Sequence, residues 1–223
     1  MKIHSSVRKT LTRIGIKRED FSVAFSLSDV PEIEQFVARE EELAEIHRML
    51  RGDSRRTVVL HGLGGVGKTQ LAIAYAKRHK DNYSAVFWLN IKDEDSLRQS
   101  FVKAAKQILR EHPSASRLSS MDINENLDEV IDAVKEWLSL PNNTRWLIIY
   151  DNYNPKSPGN TDQRIRKFLP ESYQGSVIIT TRLSQVEIGH PIRIRKLEDV
   201  LDSVKILSNA SRREGLIDGK GFY

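Results

Sequence analysis

Gly62-Leu63-Gly64-Gly65-Val66-Gly67-Lys68-Thr69 stands between an apolar run at 57–61 and a stretch of helical character at 68–78. The eight residues match G-x-x-x-x-G-K-[ST], the pattern of a phosphate-binding loop. Chemistry explains the composition. Glycines let the main chain curl so that successive N–H groups converge on an anion with no side chain in the way. The helix that follows adds its own free N–H groups and the positive end of its dipole. Lys68 supplies a point charge for β- and γ-phosphates, and the Thr69 hydroxyl a ligand for Mg²⁺. Gly62, Gly64 and Gly67 also satisfy G-x-G-x-x-G, the dinucleotide fingerprint. That fingerprint asks for an acid at the end of the second strand, and the second apolar run, 85–90, ends in Asn90. Lys68 and Thr69 favour the phosphate-binding loop.

Two further apolar runs end in residues suited to the same site. Trp146-Leu147-Ile148-Ile149-Tyr150-Asp151 places an acid at the carboxyl end of a buried strand. There it can hold Mg²⁺ directly or through water. The next residue is Asn152. A carboxylate at that point would polarise an attacking water; an amide accepts no proton, so hydrolysis is expected to be slow or absent. Gly175-Ser176-Val177-Ile178-Ile179-Thr180-Thr181-Arg182 ends in hydroxyls and a guanidinium. At the carboxyl edge of a sheet Arg182 is in reach of a γ-phosphate; the plainer alternative is a surface arginine paired with some acid. His61 and His190 are the general-base candidates by position, although a histidine near a strand end is more often packed or solvated. A guanine-nucleotide site is excluded, because N-K-x-D is missing and Asp151 does not open D-x-x-G.

Outward from the loop, helix and strand alternate. Apolar residues recur at helical spacing over 40–51, 68–78, 94–111, 123–140 and 200–210. Near-continuous apolar runs at 57–61, 85–90, 145–151, 177–181 and 192–194 predict strands. Such runs are buried on both faces, which means a parallel sheet between two layers of helices. The expected fold class is α/β, a three-layer α/β/α sandwich on a five-stranded parallel sheet in the order 2-3-1-4-5. Trp88, Trp137 and Trp146 lie in these apolar stretches and are expected in the core rather than as base-stacking platforms.

The chain has 223 residues, 39% hydrophobic and 29% charged, with no cysteine. That suffices for a buried core without a disulfide staple, and excludes thiol catalysis and cysteine-ligated metals. Apolar runs reach about five residues, too short to cross a membrane. The formal charge is +5, yet Lys2, Arg8, Lys9, Arg13, Lys17 and Arg18 fall within residues 1–18, which hold no acid. The rest of the chain is nearly neutral, so composition makes no case for a nucleic-acid partner. Ile3, Val7, Leu11 and Ile14 put an apolar stripe on the basic segment. It reads as a helix that is solvated or docks a protein partner. A mitochondrial transit peptide and a membrane-surface helix share these features. Residues 1–30 are accordingly a basic segment and linker, with the linker in the Ser-rich stretch 22–28, and residues 31–223 the nucleotide-binding domain. A cytoplasmic location is expected, with a mitochondrial one as the alternative.

Together these pieces resemble the NB-ARC class of signal-transduction NTPases, within the STAND group of P-loop NTPases, over residues 31–207; fungal receptors of the NLR type belong to it. Residues 36–43 (FVAREEEL) resemble the opening V-G-R-E motif, with Ala38 for glycine. Residues 87–90 (FWLN) resemble the second-strand motif. Residues 147–152 resemble L-L-V-L-D-D with Asn152 for the second Asp, and residues 175–182 resemble G-S-x-I-I-x-T-T-R. The resemblance implies ATP or ADP with Mg²⁺. It puts the Val37 main chain against adenine and Arg39 near the phosphates. Gly62, Gly64, Gly65, Val66, Gly67, Lys68, Thr69 and Gln70 surround the phosphates, Thr69 and Asp151 face the metal, and Arg182 senses the γ-phosphate. The G-L-P-L-A helical subdomain and winged helix do not follow. The chain is therefore expected to be a C-terminally incomplete module of a larger receptor, a truncated product or a short paralogue. The implied function is a switch in innate-immunity or cell-death-like signalling, closed with ADP and open with ATP–Mg²⁺. A nucleotide moves such an equilibrium only by its differential affinity for the two states. The competing class is an ATPase with real turnover, a motor or phosphotransferase; a nucleic-acid-handling ATPase is the third.

Overall fold

All five apolar runs form strands, and all pair in parallel: β1 (Arg56–His61), β2 (Ala85–Asn90), β3 (Trp146–Tyr153), β4 (Ser176–Thr181) and β5 (His190–Arg193). The computed structural model describes residues 21–25, 39–52, 55–124, 126–154, 165–184, 186 and 188–197. Period-two alternation sends Val59, Phe87, Leu89, Ile148, Tyr150, Val177 and Ile179 to one side of the sheet. Val58, Leu60, Val86, Leu147, Ile149, Ile178 and Ile192 go to the other. On the second face lie α1 (Glu40–Leu50) and α2 (Lys68–His79). On the first lie α3 (Glu94–Glu111), the short α4 (Ser116–Ser119) and α5 (Leu127–Leu138). The three-layer parallel architecture expected from the sequence is the one observed.

The strand order is β2-β3-β4-β1-β5, which corrects the expected 2-3-1-4-5: β4, not β1, lies beside β3. Lengths and burial explain it. All six residues of β4 are buried, so it needs a long partner on each side. The four-residue β5 carries Pro191, which has no N–H to offer and belongs on an edge. β1 is exposed at Arg56 and pairs with β5 only from Val58 to His61. The strand bearing the glycine loop and the strand bearing Asp151 are thus separated by β4.

Other boundaries shift for local reasons. The helix expected from residue 123 begins at Leu127, where the Asn126 side chain accepts the Glu129 N–H at 3.3 Å and caps it. α3 starts where expected, capped by Asp93, which accepts the Ser96 N–H at 2.7 Å. β5 opens at His190 instead of residue 192. Of the linker expected at 22–28, residues 22–25 are among those described. Phe21 and Val23 are buried, Phe21 packs edge-on to Trp137 with ring centroids 5.7 Å apart, and the Val23 N–H donates to the Ser84 carbonyl at 2.8 Å. Trp137 and Trp146 are core residues as expected, and Trp88 is half-buried. The basic stripe of residues 1–18 and the helix expected at 200–210 lie outside the described residues. No helix among the described residues is long and apolar enough to cross a membrane.

Gly175 leads into β4 with φ of 87°, and a Cβ there would stand 2.3 Å from the indole of Trp146. Gly175→Ala combines left-handed backbone strain with overpacking against a buried ring. It is expected to destabilise the fold by about 2–4 kcal/mol, read as a lower midpoint in urea unfolding.

Candidate functional site

The carboxyl ends of β1, β3, β4 and β5 meet around the glycine loop. Gly62 leaves β1 with φ of 148°, and a Cβ there would lie 2.4 Å from the Ile194 carbonyl. The loop therefore presses against the chain leaving β5, and the Ile194 N–H donates back to the His61 carbonyl at 2.8 Å. Gly67 caps α2 with φ of 94°. Lys68 is 9% exposed, and its Nζ donates to the Gly62 and Leu63 carbonyls at 2.9 and 2.7 Å. Burial and the nearby Arg182 hold the ammonium below its usual pKa, with Asp151 acting in the opposite direction.

Asp151 is 4% exposed. Its Oδ1 accepts from the Thr69 hydroxyl at 2.9 Å and from the Thr180 hydroxyl at 2.5 Å; its Oδ2 accepts from the Asn152 amide at 3.1 Å. Thr69 heads α2, Thr180 ends β4, and β4 is the strand between the loop and Asp151. Thr180 also accepts the Asn152 N–H at 3.0 Å, which holds Asn152 in a left-handed conformation at φ of 67°. The Asn152 side-chain amide also donates to the Asn90 side-chain oxygen Oδ1 at 3.4 Å. Asn90, in register with Asp151 on β2, and Asn152, next after Asp151 on β3, thus both carry amides.

The remaining expected residues fall as follows. Arg182 is exposed, and its guanidinium lies 3.4 Å from where a Gly64 Cβ would be, which sets it over the loop. Arg39 has φ of 70° and a side chain 6% exposed. Its Nη2 donates to the Val66 carbonyl at 2.7 Å and to the Arg195 carbonyl at 2.9 Å, and its Nη1 to Glu42 at 2.9 Å. It braces the loop against the chain after β5. Gln70 follows Thr69 in the first turn of α2. Val37 lies outside the described residues. His190 is corrected: it sits at the amino end of β5, paired with Val58, with its Nε2 3.6 Å from Glu45 on α1. His61 is at the carboxyl edge, and burial, Arg193 and Lys68 lower its pKa.

A cavity of about 490 Å³ opens over the ends of β4, β1 and β5, between the loop at His61–Val66 and residues 182, 184 and 193–196. The sequence does not single out Thr180 as the residue that grips Asp151, although its run ends in two hydroxyls. Arg193, Arg195 and Lys196 also line this cavity; three cations in four residues at a strand end are their mark in the sequence.

The residues fit a magnesium-bound polyphosphate. Thr69 and Asp151 present hard oxygen donors side by side, the set Mg²⁺ prefers. A Cβ on Gly65 would meet nothing within 4 Å, so the hollow of the loop is open above it.

Fold and loop together define the P-loop NTPase class. Residues 36–155 match the family described as ATPase domain predominantly from Archaea, and the chain belongs to that family. A nucleotide-binding leucine-rich repeat (NLR)-like protein of Hyaloscypha variabilis is 31% identical over 179 residues, covering 73% of this chain. The chain spans 16% of the length of that relative. The crystal structure of Cdc6p from Pyrobaculum aerophilum superposes with a TM-score of 0.55 at 16% identity, over 86% of this chain and 54% of the other. At that identity the likeness is one of fold.

Thr180→Val removes one donor from a buried carboxylate and is expected to cost about 1–3 kcal/mol of stability. Thr180→Ser, which keeps the hydroxyl, is expected to cost less than half as much; urea unfolding of the two variants measures the difference.

A pH dependence follows from the histidines. His61 folds with a lowered pKa, and so does His79, through burial, His47 and Arg78. As pH falls below 6.5, their ordinary value, the unfolded chain takes up protons first and stability is lost. His61→Gln is expected to flatten that loss in part, seen by comparing unfolding midpoints at pH 7.5 and about 5.5.

Proposed function

We propose that this chain is the adenine-nucleotide module of a signalling switch of the NB-ARC type, which holds ADP or ATP with Mg²⁺ and turns it over slowly or not at all. Lys68 and the loop amides hold the phosphates, Thr69 and Asp151 hold the ion, and Arg182 meets the γ-phosphate. The bound ion supplies charge neutralisation along the phosphate chain. Thr180 keeps the Asp151 carboxylate turned toward Thr69. Arg39 keeps the loop seated against the chain after β5.

The observation that carries the slow-turnover part is the amide pair at Asn90 and Asn152. A general base must be within hydrogen-bond reach of the attacking water and able to take its proton; Asn90, in register with Asp151, and Asn152, next after it, are amides that do not. The signalling part is supported by the printed name of the fungal relative, an NLR-like protein that matches most of this chain.

Denaturing the purified protein and identifying the released nucleotide by chromatography tests the proposal. ADP or ATP near stoichiometry is expected, with turnover far below the ~1 s⁻¹ of an ordinary enzyme. Steady turnover above that rate would favour the ATPase alternative. Lys68→Ala is expected to weaken nucleotide binding by about tenfold to a hundredfold, the loss of one charge-assisted contact. Asn152→Asp, which a left-handed backbone tolerates, is expected to raise single-turnover hydrolysis roughly 10²-fold, the lower end of what a general base contributes.

A further inference from the structure

The pairing of β3 with β4 breaks at Asp151. Tyr150 stands opposite Ile179 and Tyr153 opposite Thr181, so two residues of β3, Asp151 and Asn152, face Thr180 alone. Two against one is a β-bulge, which bends a strand and re-aims its side chains. Asn152 takes the left-handed conformation within it, at φ of 67°. In a regular strand neighbouring side chains point to opposite faces; here the Asn152 amide turns back onto Asp151. Thr180 closes the gap in the ladder, since its hydroxyl donates to Asp151 Oδ1 and accepts the Asn152 N–H.

A side-chain amide has two hydrogens to give, and Asn152 divides them between Asp151 Oδ2 at 3.1 Å and Asn90 Oδ1 at 3.4 Å. Asn152 is exposed, whereas Asn90 is held from three directions. The Ile91 N–H that follows it donates to the Asp151 carbonyl at 2.8 Å. The Asn90 N–H donates to the Ser100 hydroxyl on α3 at 3.1 Å, and that buried residue donates on to the Ser96 carbonyl at 2.7 Å. The Asn90 Oδ1 accepts the Lys92 N–H at 3.2 Å, a local turn at the exit from β2. Its oxygen is therefore a fixed point, set by β2 and α3, against which the bulged amide is oriented. With Oδ2 of Asp151 engaged by that amide, Oδ1 is the oxygen beside the Thr69 hydroxyl.

We propose that Asn90 is a positioning residue for the nucleotide's Mg²⁺: acting through the bulged Asn152, it fixes the Asp151 carboxylate with Oδ1 toward Thr69. Partners that stand behind a metal ligand and orient it are typically worth 10–100-fold in metal affinity. The inference rests on the nucleotide reading of the loop. It concerns the affinity for the ion and is independent of the missing general base.

Two calorimetric titrations of the full chain test it. ADP titrated in EDTA reads the loop alone, and Mg²⁺ titrated into the ADP-loaded chain reads the ion. In Asn90→Ala, Mg²⁺ is expected to bind roughly tenfold more weakly, the lower end for such partners, while metal-free ADP affinity stays within about twofold. Asn90→Asp keeps an oxygen acceptor in place and is expected to bind Mg²⁺ at least as tightly as the parent chain. Asn152→Gly keeps the left-handed backbone and is expected to weaken Mg²⁺ at least as much as Asn90→Ala. Adding Asn90→Ala to it is expected to cost nothing further, because residues acting in one chain are not additive. Unchanged Mg²⁺ affinity in Asn90→Ala would overturn the role of Asn90 and leave the nucleotide site standing. A matching loss of metal-free ADP affinity would make Asn90 merely structural, and an additive loss in the double variant would break the path through Asn152. Weakened Mg²⁺ binding in Asn90→Asp would likewise overturn it. Failure of the parent chain to bind ADP at all would overturn the nucleotide reading and this inference together.

Discussion

A carboxylate removed from water must be met by donors on every open side, and in this protein one such group sets the geometry of the whole carboxyl edge. Asp151 draws in Thr69 from the head of α2 and Thr180 from the end of β4. Those two contacts fix where the phosphate loop ends and which strand stands between it and β3. The β4 position that corrected the expected strand order is therefore also the one that supplies the second hydroxyl. Topology and site chemistry are one arrangement here: move β4 to the far side of β1 and Asp151 would lose a buried partner.

The parts of the site most legible in the sequence were those where chemistry leaves little choice of residue. Glycines at fixed spacing followed by Lys68 and Thr69 have few other uses, and an acid closing a five-residue apolar run is conspicuous. Thr180 was less legible because a threonine is at home in any strand, so its hydroxyl carries no signature of a job. The sheet was legible as parallel because both faces of each strand are apolar. Its order was not, because pairing depends on relative strand lengths and on Pro191, which single runs do not reveal. The burial of Phe21 and Val23 was not legible because serine and alanine dilute them, and Phe21 packs on Trp137 more than a hundred residues later. His190 fails as a base for a simple reason of direction: in a parallel sheet only the carboxyl ends of strands face the loop, and it opens its strand instead of closing it.

Net charge was a poor guide to electrostatics. Beyond the basic first segment the chain is close to neutral, yet Arg182, Arg193, Arg195 and Lys196 converge within one concavity while the helices carry matched pairs such as Glu40 with Arg78 and Glu94 with Arg98. Averaging erased the contrast between paired helix surfaces and a cluster of cations that, among the described residues, has no ion-pair partner. Only the folded arrangement, which brings the ends of three strands together, makes the local field visible.

The docking of Val23 on Ser84 fixes the chain at the amino edge of the sheet, while the loop occupies the carboxyl edge. A six-residue strand puts these poles about 20 Å apart. Residues 21–25 and the phosphate loop therefore stand at opposite poles of the sheet. The same stretch of chain nonetheless leads on to Arg39, whose guanidinium holds Val66 of the loop and the Arg195 carbonyl, so one continuous length of backbone ties the amino pole of the sheet to its phosphate pole.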